Sequence, residues 1–259
     1  MIFDTHTHYD DREFDGERDQ VILKQLSSGV GKIIACAADM QSSLEAIEIA
    51  ERYPDVYAAV GVHPDNIDGM DAGELLKIAA HSKCRAIGEI GLDYHWDVHP
   101  RELQIRGFVE QWRLAEELDL PVVIHSRDAA EDTLRIVREM YEEYSAKGKR
   151  LKADMHCYSY SPEQAAEYVR MGLYFGIGGV LTFKNSKKLA ECVKIIPRDR
   201  ILLETDCPYL APEPYRGKRN ESLNLKYVVA KLADILGISE EETEKITYEN
   251  ASVFFGVEI

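Results

Sequence analysis

Short apolar runs and longer amphipathic stretches alternate along the whole chain. The first run begins at Ile2 and Phe3; the others cover residues 32–38, 56–63, 85–91, 121–125, 151–156, 173–178 and 200–206. Most are rich in Val, Ile and Ala, the composition of strands buried on both faces of a parallel sheet. The run at 151–156 is the weakest of them. Helical stretches fall between and after them, at 19–28, 42–53, 73–82, 102–118, 129–146, 162–171, 187–196, 224–236 and 239–255. Their ends carry helix punctuation: Gly29 and Gly31 after the first, Pro54 after the second, and Ser161 as an N-cap. Ser239-x-x-Glu242 reads as a capping box for the last.

Eight strand-like runs, each followed by a helix-like one within 259 residues, predict an α/β fold. The expected architecture is a closed (β/α)8 TIM barrel forming a single domain over residues 1–259. An open doubly wound sheet is the alternative. It calls for a Gly-rich phosphate turn after the first strand, and none is there. No apolar run approaches the roughly 20 residues that span a bilayer. The N-terminus carries acidic residues and reads as no secretory signal. Five cysteines, odd in number and without a C-x-x-C pair, read as reduced thiols of a cytoplasmic protein. The net charge of −15 argues against a protein that coats DNA through its overall field. It leaves room for an enzyme that grips a few phosphates through bound cations.

The candidate chemistry sits at strand ends. His6 and His8 alternate with Thr7 and share one face of the first strand. His63 ends the third strand, Glu89 lies near the end of the fourth, His125 ends the fifth, His156 the sixth and Asp206 the eighth. In a barrel these ends converge on the rim where barrel enzymes keep their chemistry. Imidazoles and carboxylates together suit divalent metals. His6, His8, Glu89, His125, His156 and Asp206 exceed what one ion needs, so two ions bridged by Glu89 are expected. His6, His8, Glu89 and Asp206 are assigned to one ion, and Glu89, His125 and His156 to the other. Such a pair activates water and orients a phosphoryl or carbonyl oxygen. Asp206 is placed to take a proton from the attacking water, although it could instead cap the turn that follows. Glu204, on the same strand, serves either as a second base or as support for the ligands. His63 and Arg127 are placed to hold substrate oxygens, Arg127 through its planar fork; a surface ion pair is the alternative for Arg127. His81, His95 and His99 read as surface residues.

With those residues in place, the chain resembles the TatD family of metal-dependent deoxyribonucleases, a branch of the amidohydrolase-like barrels. The resemblance rests on Asp4-Thr5-His6-Thr7-His8, Gly61-Val62-His63-Pro64, Ile87-Gly88-Glu89-Ile90-Gly91-Leu92-Asp93-Tyr94 and Val123-Ile124-His125-Ser126-Arg127. It continues through His156-Cys157-Tyr158-Ser159, Glu204-Thr205-Asp206-Cys207-Pro208-Tyr209-Leu210, Arg216-Gly217-Lys218-Arg219-Asn220-Glu221 and Asn250…Phe255-Gly256. These motifs run in order from end to end. The resemblance implies a barrel with two divalent ions (Mg, Mn or Zn) in the six positions above. It implies hydrolysis of DNA phosphodiesters. No long basic groove is evident, which favours single-stranded or frayed ends, and a monomer or weak oligomer with no membrane partner is expected. Where the family usually has proline after Asn220-Glu221, this chain has Ser222, in a loop expected near substrate. The basic cluster Arg216, Lys218 and Arg219 is a candidate grip on the nucleic-acid backbone, with a solvated charged loop as the alternative. A lactonase or phosphotriesterase on the same barrel is the competing activity. Many such sites are bridged by a modified lysine on the fourth strand, and here that strand offers Glu89. A metal-dependent binding protein without catalysis is a third reading.

Overall fold

In the computed structural model, which describes residues 1–96 and 98–259, β1 (Ile2–Thr7) pairs in parallel with β2 (Val30–Cys36). Each later strand adds beside its predecessor: β3 (Val56–Val60), β4 (Cys84–Asp93), β5 (Val122–Arg127), β6 (Ala153–Met155), β7 (Tyr174–Ile177) and β8 (Ile201–Leu203). All the pairings are parallel. Helices return the chain between strands: α1 (Arg18–Ser27), α2 (Met40–Arg52), α3 (Ala72–Ala79), α4 (Arg101–Leu118), α5 (Ala130–Ala146), α6 (Pro162–Arg170) and α7 (Lys187–Ile195). Two more, α8 (Leu225–Leu236) and α9 (Glu240–Phe255), follow β8. The expected single (β/α)8 barrel is the observed one. Among the described residues no helix is long and apolar enough to cross a membrane.

The barrel closes by an unusual seam. Between β8 and β1 the ladder shrinks to one parallel bridge, Thr7 to Cys207. Single hydrogen bonds do the rest. The Asp206 N–H donates to His6 O at 2.9 Å, and the His8 N–H to Cys207 O at 2.8 Å. Below them, the buried Asp4 carboxylate accepts from the Thr205 N–H at 2.9 Å and from the Thr205 hydroxyl at 2.7 Å. The rim of the barrel and its seam are therefore the same place.

Two apolar layers hold this frame. The larger lies between strands and helices, where α2, α4, α5 and α8 bury one stripe each. The smaller fills the barrel interior. There Phe3, Ile34, Ala59, Ala86, Val123 and Leu202 meet Tyr248, Ala251, Phe254 and Phe255 of α9. The final helix thus plugs the end of the barrel away from the histidines. The Asn250 amide ties it down by donating to Arg198 O at 2.8 Å and Ile201 O at 2.9 Å. Helix α9 starts where Ser239 accepts from the Glu242 N–H, and it ends at Gly256 in the left-handed region.

Phe255 is buried against Phe3 and Phe254, with ring centroids 5.9 and 4.8 Å away. Phe255→Ala leaves a cavity that rigid strands cannot collapse into. We expect a loss of about 3–5 kcal/mol, read as a lowered urea midpoint at unchanged slope.

Candidate metal centre

Strand alternation and the seam bring the polar strand ends to one point. Glu89 occupies the middle. Its Oε2 lies 3.7 Å from His6 Nε2, 3.5 Å from His125 Nδ1 and 3.8 Å from His156 Nε2. Its Oε1 lies 3.9 Å from His8 Nε2. Asp206 caps the cluster from the seam, with Oδ1 3.3 Å from His8 Nε2, 3.7 Å from His156 Nε2 and 3.9 Å from His6 Nε2. The Asp206 backbone is left-handed, at φ 59°, a conformation that Asp tolerates better than most residues. It turns the carboxylate into the barrel mouth. All six expected ligands are therefore gathered within a few ångströms.

The outward nitrogens of three rings are already taken. His8 Nδ1 lies 3.0 Å from the Cys36 carbonyl, which can only accept, so this nitrogen carries the proton. His125 Nε2 is held by Asp93 Oδ2 at 3.0 Å, and His156 Nδ1 by Glu204 Oε2 at 3.1 Å. Each neutral ring is thereby left with its lone pair on the nitrogen that faces Glu89. His6 stacks on His156 with centroids 3.6 Å apart, and its Nδ1 is buried with no hydrogen-bond partner. Lone pairs from several rings converging on a carboxylate fit a cation far better than they fit each other. His6 and His8 Nε2 are only 3.2 Å apart. The donor set, mixed nitrogen and oxygen, suits divalent metal. Ligand atoms of His6, His8 and Glu89, and of His6, His156 and Asp206, lie within 4.8 Å of one another.

Without a cation, the imidazoles and carboxylates compensate one another. Burial would raise the Glu89 carboxyl, but the His125 hydrogen bond and the surrounding rings hold it well below the usual carboxylate range. Burial works against charged imidazoles too. His8 is nevertheless pushed up to about 9 by Asp206 and Glu89, His125 to about 9 by Asp93 and Glu89, and His156 to about 10 by Glu204 and Asp206. His6 stays well below its ordinary value through burial and the neighbouring His156.

The remaining expected residues divide. His63 sits beyond β3, its ring edge-on to His125 at 4.3 Å. Its Nδ1 accepts from the Asp65 N–H at 3.1 Å, and burial and His125 depress it to about 4. It is a neutral ring with Nε2–H to donate. Arg127 ends β5 on the exposed rim. Arg216 and Lys218 are exposed, lying over the rings of Phe183 and Tyr215 at 4.3 and 5.7 Å. Arg219 corrects the expectation of a substrate grip. Its guanidinium bonds Glu17 at 2.7 Å and Glu221 at 3.2 Å and covers Phe14, so it fastens the loop to the start of the chain. Of the two roles expected for Glu204, the contacts favour support of the ligands: Oε1 accepts from the Cys157 N–H at 2.6 Å, Oε2 holds His156, and the side chain is buried. Ser222 is buried, 2.8 Å from the Tyr9 hydroxyl, and lies under the site instead of touching substrate. Sequence reading gave no role to Asp93, which holds His125, or to Asp4 and Asn220, which hold Thr205. Asp93 shares its strand face with Glu89 four residues back, a signal available once β4 is known to run to residue 93.

Such a barrel, with histidines and carboxylates meeting at the strand ends, defines a metal-dependent hydrolase. The family model described as TatD related DNase matches residues 3–256. The metal-dependent hydrolase YabD of Bacillus subtilis (strain 168) is 42% identical over 99% of this chain and 100% of its own. The 3'-5' ssDNA/RNA exonuclease TatD of Escherichia fergusonii is 30% identical, over 99% of each chain. Among solved structures, YJJV, a TatD homolog from Escherichia coli K12, matches with a TM-score of 0.90 and 29% identity, over 99% of this chain and 98% of that one. This chain belongs to the TatD family of metal-dependent hydrolases. The organophosphorus hydrolase of Deinococcus radiodurans, at 14% identity and a TM-score of 0.65 over 98% of this chain and 92% of its own, shares the fold.

Two predictions follow from these contacts. His8, His125 and His156 have raised folded-state values, so in metal-free protein their contribution to stability is complete below about 6.5, the unfolded value. It is lost as pH rises through about 9 for His8 and His125 and about 10 for His156. Thermal melts of metal-stripped protein should fall over that window, and calorimetric titration with Mn or Zn at pH 7 should release protons. Gly176 makes room for Glu204: a Cβ there would lie 1.9 Å from Glu204 Oε2. Gly176→Ala should displace the carboxylate that orients His156 and weaken metal binding by about 10–100-fold in a competition titration with a chelator.

Proposed function

We propose that this protein is a metal-dependent deoxyribonuclease that trims single-stranded or frayed DNA from an end. The observation that carries the reading is Glu89, set among four imidazole nitrogens at 3.5–3.9 Å with Asp206 opposite. His6, His8, Glu89 and Asp206 would hold one divalent ion, and Glu89, His125 and His156 a second. Mg, Mn and Zn all suit this mixed donor set. When bound, two such ions supply Lewis acidity to a phosphoryl oxygen and lower the pKa of water.

The chain's own groups complete the chemistry. Asp206 is the most exposed carboxylate of the cluster, with 17% of its side chain accessible, and its oxygen accepts the proton of the attacking water. The new P–O bond forms as the ester P–O bond breaks, and the leaving oxygen takes up a proton. His63 donates Nε2–H to a phosphoryl oxygen, and Arg127 offers its fork to a neighbouring phosphate. Glu204 and Asp93 keep His156 and His125 in register. End-trimming is supported by the charge: with 46 acidic against 31 basic residues, the chain has few means of wrapping a duplex. The Escherichia fergusonii relative named as a 3'-5' ssDNA/RNA exonuclease supports the same substrate class. β4 carries no lysine, which disfavours the lysine-bridged lactonase and phosphotriesterase chemistry. The five cysteines are unpaired, which suits a cytoplasmic setting.

Metal-stripped protein, with Mg, Mn or Zn restored, should cut end-labelled single-stranded DNA into a stepwise ladder on a gel. Asp206→Asn should lower that rate by at least about 100-fold without altering the circular dichroism spectrum. Normal turnover by this variant would overturn the assignment. Turnover of lactones or phosphotriesters in place of DNA would replace the nuclease with the competing activity.

A further inference from the structure

Trp96 is 61% exposed, on the loop after β4. A lone exposed aromatic is ordinary, but this one is anchored at the proposed centre. Its backbone N–H donates to Asp93 Oδ1 at 3.3 Å, and Asp93 Oδ2 holds His125 Nε2 at 3.0 Å. The backbone that carries the ring is thus tied to the same carboxylate that orients a candidate metal ligand. The Arg127 guanidinium lies 5.4 Å from its centroid, and the His95 ring meets it edge-on at 4.9 Å. Across the cluster, on the His8 side, Tyr209 presents a second half-exposed ring, 6.2 Å from His8 and fixed by a 2.7 Å bond to Asp11. Aromatic surface therefore flanks the cluster on both sides, and a cation accompanies one flank.

We propose that Trp96, with Arg127 beside it, is a stacking platform for an unpaired nucleobase of the strand whose phosphate lies at the cluster. The proposal rests on the nuclease reading and adds what selects the strand. An unpaired base offers an open π-face to Trp96, while a base inside a duplex is covered by its neighbours. Stacking of this kind tolerates any base, and Arg127 serves the adjoining phosphate. Trp96 acts on binding and takes no part in bond breaking. Its loss removes interaction shared by ground and transition states, which raises KM and spares kcat.

The chain has two tryptophans, and the other, Trp112, is 1% exposed. Quenching by an added strand therefore reports on Trp96, and Trp96→Phe gives the Trp112 background. The first experiment compares wild type, Trp96→Ala and Trp96→Phe, metal-loaded, on oligo(dT) and on an abasic deoxyribose-phosphate strand of equal length, which has no aromatic ring. Trp96→Ala should raise KM for oligo(dT) about tenfold at unchanged kcat. Trp96→Phe should recover most of the loss, and all three should cleave the abasic strand with the same KM. Oligo(dT) should also quench the tryptophan emission of the metal-loaded Asp206→Asn variant, and an abasic strand of equal length should not. If wild type does not cleave DNA, wild type itself is titrated. Quenching without cleavage keeps the platform and rejects the nuclease reading. Cleavage by Trp96→Ala with wild-type KM rejects the platform and keeps the nuclease. Absence of quenching, or equal quenching by the abasic strand, overturns the proposal. So does an emission shift that depends on protein concentration alone, since a second copy would then cover the ring.

Discussion

A carboxylate buried at the centre of a barrel dictates much of what surrounds it. Glu89 is 6% exposed, and an isolated charge so placed would cost several kcal/mol. Four imidazoles offset that cost, and they do so only in fixed orientations. Those orientations come from outside the cluster: the Cys36 carbonyl of β2, Asp93 of β4, and Glu204 just beyond β8. The charge at the middle thus enlists groups from several strands, and the barrel must be closed for all of them to reach it. The converse also holds. Without a cation, His8, His125 and His156 stay charged near neutrality while His6 stays neutral, so the centre is an electrostatic balance that a metal shifts but does not create.

Closure is the weak point in that scheme, because β8 and β1 share so little ladder. The three residues of β8 end before Glu204, and the chain then turns through a left-handed Asp206. Side chains substitute for the missing ladder. Asp4 receives both donors of Thr205, and the Asn220 amide donates to Thr205 O at 3.0 Å. Asp4 is fully buried, and that burial pushes its carboxyl up to about 7 even against these bonds. A regular strand pairing here would direct residues 204–206 alternately in and out. The irregular seam instead sets Glu204 behind His156 and Asp206 in front of it. Local irregularity at a functional site is a recurrent way to aim side chains that a regular lattice would misplace.

Eight strands and their intervening helices were legible from hydrophobic pattern alone, because strands buried on both faces leave unbroken apolar runs. The six candidate ligands were legible for a related reason. His6, His8, Glu89, His125, His156 and Asp206 interrupt those runs at their ends, where a polar residue has no packing role. What escaped was whatever depends on a partner far along the chain. Asp93 looked like loop because β4 was read as ending at Gly91. Glu204 and Arg219 have the right chemistry for base and phosphate grip, but hydrogen bonds to His156, Cys157, Glu17 and Glu221 consume it. No local pattern records that a donor has already been spent. Ser222 is similar. Its buried contact with Tyr9, 213 positions away, accounts for a hydroxyl in a loop that read as substrate-facing.

The same bookkeeping bears on how an acidic protein could hold a polyanion. Positive potential from surface residues is largely cancelled here: Arg18 pairs with Asp15, Arg52 with Asp19, and Arg219 with Glu17 and Glu221. Arg127, Arg216 and Lys218 lie instead over aromatic rings, and among the described residues no carboxylate pairs with them. On the proposed nuclease reading, a few such cations beside the cluster would favour a flexible strand end that can bring one phosphate inward. They do not favour a rigid duplex, which needs many phosphates matched at once. Aromatic faces at the rim strengthen that preference, since only unpaired bases can use them. On that reading, charge distribution, exposed rings and the depth of the cluster would favour the same kind of ligand by independent physical means.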